Sequence, residues 1–154
     1  MAAIDYYGVA TSLKAIFDAD VTLGAAAPPV MTVIEEEIMF GVADNITMIA
    51  IYMDRRDPHP QQSLAMGTRQ RYLLQLSLWC IAFNIGSLRE AINERDTLMG
   101  KVEIATMNIN NRTISGKASS SWLGGGEMFS AKNPKGGFVA VGEVLLTADV
   151  QAVG

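Results

Sequence analysis

The residues whose types could do chemistry are few. The only histidine, His59, lies in Asp57-Pro58-His59-Pro60, and the only cysteine, Cys80, lies in Leu78-Trp79-Cys80-Ile81. An imidazole can serve as a general base or a metal ligand, but a working site needs converging partners, and none is evident beside His59. It reads as a solvated loop histidine. Cys80 falls on the apolar side of an alternating run. That fits a small buried hydrophobe better than a nucleophile, whose thiolate needs an electropositive, partly exposed setting. One histidine and one cysteine cannot furnish the usual zinc ligand set within one chain.

Charged and glycine-rich stretches are the remaining candidates. Glu35, Glu36 and Glu37 are consecutive, and in a strand they alternate between faces, so they cannot converge on one ion. "LGGGEMF" (123–129) and "NPKGGFV" (133–139) lack the G-x-x-x-x-G-K-[ST] spacing of a phosphate loop and read as flexible turns. Asn93-Glu94-Arg95-Asp96 places an arginine between two acids. Adjacent residues on a helix do not face each other, so this is no carboxylate pair, and Arg95 is expected to lack an intrahelical partner. Its stem can lie over the sheet while the guanidinium reaches a distant carboxylate or a neighbouring subunit. The other basic residues form loose groups at Arg55/Arg56, at Arg69/Arg71 and at Arg112/Lys117/Lys132/Lys135. Their functional reading is docking to an acidic partner or lining a channel; their plainer reading is solubility. No catalytic, cofactor-binding or metal-binding residue is expected, and the chain is not expected to be an enzyme.

The elements that position these residues follow from hydrophobic periodicity. Ile4–Phe17 has helical spacing. Pro28 and Pro29 set an extended lead into a strand over Val30–Phe40. Ile46–Met53, apolar on both faces, is a strand buried on both sides, and the prolines of "DRRDPHPQQ" make 54–62 a loop. Arg69–Phe83 is the clearest strand. Its even positions, Tyr72 to Ala82, are apolar, whereas its odd positions mix Gln75 and Ser77 with Trp79, Ile81 and Phe83. Ser87–Met107 is the longest helix, opened by a Ser87…Glu90 capping box. Residues 112–137, rich in Gly, Ser, Asn and Lys with Trp122 and Leu123 as an apolar island, read as a long flexible loop. Phe138–Val153 closes the chain as a strand. The sum is α+β: a mostly antiparallel sheet of about four or more strands with two main helices on one face.

Composition bounds the rest. The 154 residues form one domain. Hydrophobic residues at 49% and charged residues at 18% exclude disorder and leave little polar cover, a hint that another subunit covers some apolar surface. A net charge of −4 gives no overall basic footprint for nucleic acid. A single cysteine excludes an internal disulfide and suits a cytosolic site of assembly. No signal peptide or membrane span is expected.

The chain resembles the tail terminator (tail-completion, minor tail) proteins of bacteriophages with long non-contractile tails and of phage-derived gene transfer agents. The likeness runs along nearly the whole chain. It rests on the N-terminal helix with "ATSLKAIF", on "PPVMTVIEEE", "ITMIAIYMDRRDP" and "RQRYLLQLSLWCIAFN", on the helix "EAINERDTLMGKVEIATM", and on the final strand "GGFVAVGEVLLTADVQAV". It implies a structural virion subunit that forms a ring, typically a hexamer, at the head-proximal end of the tail tube. The ring would stop tube polymerisation and dock the head-side connector, with DNA passing through its channel without specific binding. Its partners would be copies of itself, the tube protein and the connector or stopper, with no cofactor and no membrane. Its place would be the virion's head–tail junction, after assembly in the bacterial cytoplasm. The interface candidates are Arg55, Arg56, Arg69, Arg71, Trp79, Phe83, Arg95, Trp122, Lys132 and Lys135. The alternatives are another neck protein (stopper or adaptor) and a small-molecule-binding α+β domain, which would require a pocket with converging polar groups.

Overall fold

The structure is a computed structural model and describes residues 3–36, 45–60 and 70–152. The fold is α+β, as expected. Helix α1 (Tyr6–Ala19) leads to strands β1 (Met31–Ile34), β2 (Ile46–Pro58) and β3 (Arg71–Asn84). Helix α2 (Leu88–Met107) and a short 3₁₀ turn (Ile109–Asn111) precede β4 (Ser120–Leu123), β5 (Met128–Lys132) and β6 (Phe138–Gln151). One six-stranded sheet runs β1-β2-β3-β6-β4, and β5 also pairs with β6. All pairings are antiparallel except β1 with β2.

Both helices lie on one face of the sheet. Val9, Ala10, Leu13 and Phe17 of α1 and Leu98, Val102 and Ala105 of α2 share a core with Leu74, Leu76, Leu78 and Cys80 of β3 and with Val144, Leu146, Ala148 and Val150 of β6. The even positions of β3 and β6 therefore face the helices, as the period-two rule requires. The odd positions of β3 are more buried than their polarity suggests. Ser77 and Ile81 are fully buried, and Ile81 and Phe83 join Ala50, Val139 and Val141 in a second apolar cluster on the opposite face. The Ser77 hydroxyl is satisfied by donating to Asp54, which sits at a register shift in β2.

Three expectations are corrected. Residues 54–58 are strand, because Asp54 is absorbed by that irregularity and Pro58 falls at the last position of β2, where a missing N–H costs least. Residues 112–137 are not one loop: β4 and β5 lie end to end along β6, with Gly124 and Glu127 bonded to Leu145 and Glu143 between them. In the strand expected over 30–40, β1 ends at Ile34, and residues 37–40 lie outside the described residues. The N-terminus of α2 also differs in detail. Ser87 Oγ accepts from the Glu90 N–H at 3.1 Å, but the Ser87 N–H goes to Asn84 Oδ1 rather than to Glu90.

Candidate functional site

Among the described residues the histidine and the cysteine stand apart: Cys80 pairs with Gly142 in mid-sheet, whereas His59 lies beside Asp149 at the other end of β6. Cys80 is buried and its thiol is pushed up to about 12, first by burial and then by Glu103, so no thiolate is available near neutral pH. Among the described residues no group of three or more histidine, cysteine or acidic side chains could hold a metal ion. None of the described helices is long and apolar enough to cross a membrane.

His59 is not the solvated loop residue expected. Its Nε2 lies 3.7 Å from Asp149 Oδ2, and its backbone N–H donates to the Arg71 carbonyl at 3.1 Å. Arg71 binds the same carboxylate through two donors, Nε to Oδ1 at 3.0 Å and a terminal nitrogen to Oδ2 at 2.6 Å. Asp149 is buried, and the Arg71 hydrogen bonds hold its carboxyl below the usual range. The cluster ties the C-terminal end of β2 and the start of β3 to the end of β6. Arg71 engages both carboxylate oxygens in a bidentate ion pair, the geometry of a structural tie between strands.

The expected interface residues divide by where the fold puts them. Arg95 is buried, contrary to the expectation that it lacks an intrahelical partner. Its Nε and a terminal nitrogen both donate to Asp96 Oδ1, at 3.0 and 2.9 Å, and its other terminal nitrogen lies 3.5 Å from the Phe129 carbonyl. A long guanidinium can curl round to its neighbour's carboxylate although the two Cβ atoms diverge. Arg95 thus sits beneath β5 rather than on a free surface. Phe83 is buried, and Trp79 is half-buried with its ring edge-on to Phe129 at 6.4 Å between centroids. Arg56 stacks on Tyr72 and donates to the Tyr6 hydroxyl, clamping α1 to the sheet. Arg71 is committed to Asp149, and Arg69 lies outside the described residues.

Arg55, Arg56, Trp122, Lys132 and Lys135 are the expected residues left exposed, although Arg56 is held against Tyr6 and Tyr72 and Arg55 pairs with Asp57 at 2.7 Å. Lys132 and Lys135 rim a pocket of about 370 Å³ at the β5–β6 turn, walled by Phe129, Ala131, Pro134 and Val139. The walls are apolar, so the converging polar groups that a small-molecule site would need are missing there. The pocket is also at the far end of β6 from Asp149.

The sequence reading missed Met31, Met128 and Phe129. These large apolar side chains are 57%, 54% and 49% exposed, and they lie on opposite edges of the sheet, β1 and β5. Trp122 of β4, 47% exposed, continues the β5 edge. The signal available was the placement of apolar residues in short runs next to Pro28-Pro29 and Gly124–Gly126, where edge strands begin. The chain matches no protein-family model and no curated protein.

Proposed function

We propose that this chain is a structural ring subunit at the head-proximal end of a phage tail tube, where it stops tube growth and presents a docking surface to the head-side connector. The observation that carries the reading is the pair of unlike apolar sheet edges, Met31 on β1 and Trp122, Met128 and Phe129 on β4 and β5. A ring built from one kind of subunit needs a heterologous contact, in which one patch meets a different patch on the next copy. Isolated apolar residues are ordinary on a surface, but contiguous ones along an edge strand invite pairing unless they are covered. The α+β fold and the likeness of sequence texture to tail terminators support the same reading. The ring requires no bond-making chemistry, in keeping with a thiol buried in the core and a half-buried histidine set against Asp149.

Native mass measurement and negative-stain microscopy test it, at rising protein concentration with and without magnesium, followed by addition to polymerising tail-tube protein. Closed rings with a central hole and shortened, capped tubes are expected. A chain that neither closes into rings nor changes tube length would overturn the proposal.

A further inference from the structure

Resting on the ring reading, we infer that β1 of one copy adds to β5 of the next as an antiparallel strand, so that the sheets of neighbouring subunits run together. Three independent features point there.

The first is polarity and height. The register carries Met31 across the sheet through Met48, Ile81 and Val141 to Phe129, so both edges lie at the same level. β1 runs parallel to β2, β3 runs opposite, β6 reverses again, and β5 runs opposite to β6. A second copy placed beside β5 in the same orientation therefore presents its β1 antiparallel to it.

The second is backbone parity. In an antiparallel ladder, alternate residues point their N–H and C=O groups to the partner and the others point away. Glu143 donates to the Glu127 carbonyl and Asn133 to the Gly137 carbonyl, so odd positions of β5 bond to β6. Met128, Ser130 and Lys132 direct theirs outward. On β1, Glu35 donates to the Ile51 carbonyl, so Thr32 and Ile34 direct theirs outward. Setting Thr32 opposite Ser130 and Ile34 opposite Met128 overlaps all of β1 with β5 and mates outward groups with outward groups. This register is offset by two residues from the level one, and a stagger of this kind lets strands tilt as a sheet curves into a closed ring.

The third is side-chain fit. The register faces Met31 with Ala131 and Val33 with Phe129 on the helix-free side, and Ile34 with Met128 on the other. It also brings the Ser130 hydroxyl of the neighbour to Thr32. Thr32 Oγ1 is buried within the subunit and has no hydrogen-bond partner among the described residues, and a turn of its χ1 toward the strand edge would pair it with that hydroxyl.

Cysteine cross-linking tests the pairing. Met31 and Ala131 would be a non-hydrogen-bonded pair with Cα atoms about 4.5 Å apart, within the reach of a disulfide. Mild oxidation of mixed Met31→Cys and Ala131→Cys chains should give the mixed dimer at least tenfold faster than a mixture of Tyr7→Cys and Ala131→Cys, since Tyr7 is exposed but remote in this arrangement. No excess over that control, in variants with unchanged circular dichroism and melting, overturns the inference; so does a chain that stays monomeric. Ser130→Pro provides a second reading, because it removes one outward N–H on an edge strand and no internal bond. It should raise the concentration for half-assembly at least tenfold, and unchanged assembly overturns the pairing. Rings without the 31–131 cross-link would sink this pairing and leave the tail-end reading intact. Cross-linked open chains that cap no tubes would do the reverse.

Discussion

Arg71 grips the buried carboxylate of Asp149 with two donors, across 78 residues of sequence, and so fixes the start of β3 to the end of β6. Removing the guanidinium leaves a buried charge with His59 beside it among the described residues. Hydrogen bonds to charged groups contribute about 2 kcal/mol each, so Arg71→Ala should lose at least that much stability in urea melts at neutral pH. The folded pKa of Asp149 is held below its ordinary 3.8, so this stability is present above that value and fades as pH falls through the folded value. The gap between parent and Arg71→Ala should therefore close in strongly acidic buffer. A gap that instead persisted there would mean Arg71 acts by packing alone.

Cys80 offers a sharper contrast between native and unfolded chain. With its thiol near 12 and no surface exposure, it should resist an alkylating reagent at mildly alkaline pH and react at once in denaturant. Rapid labelling of the native protein would show that β3 opens locally. Cys80→Ser should be worse than Cys80→Ala, by about 1 kcal/mol or more, because the serine hydroxyl is costlier to bury in this apolar core.

Asn84 does more for the start of α2 than the N-cap does. Its Oδ1 accepts from Gly86 at 2.8 Å and from Ser87 at 3.1 Å, and its Nδ2 donates to Glu94 at 3.0 Å. Ser87→Ala removes one cap bond and should cost about 1 kcal/mol. Asn84→Ala removes all three of these hydrogen bonds from a buried side chain, although the Gly86 N–H it frees can turn to water, and should cost about 2–3 kcal/mol. Equal losses in thermal melts would contradict this division.

The parts of the fold legible in the sequence are those with one face in the core. β3, β6 and α2 show unbroken apolar periods, and their bounds came within two or three residues. β4 and β5 were invisible because edge strands need not alternate: every residue of β5 is exposed. Their glycines, taken for loop, mark the gap between two strands. The Arg71–Asp149–His59 cluster and the Arg95 contact with Asp96 depend on tertiary closure and side-chain length, which no local pattern encodes. Trp122 stood out as an apolar island, whereas Met31 and Met128 gained meaning only once β1 and β5 became opposite edges of one sheet.

That gap between β4 and β5 can be probed with two neighbouring glycines. A Cβ built on Gly126 would lie 2.0 Å from the Glu143 carbonyl oxygen, and that oxygen belongs to backbone in the middle of β6. One on Gly125 would meet nothing within 4 Å. Gly126→Ala must therefore push β5 away from β6, at a cost of about 1–3 kcal/mol, while Gly125→Ala should stay within about 0.5 kcal/mol of the parent. Because Arg95 lies beneath β5 and Phe129 forms part of the exposed edge, the Gly126 variant should also lose assembly, whereas Gly125→Ala should keep it. Thermal melts and native mass on the two variants separate the cases. If Gly126→Ala melts like the parent, β6 does not hold β5 this closely, and the edge loses its rigidity.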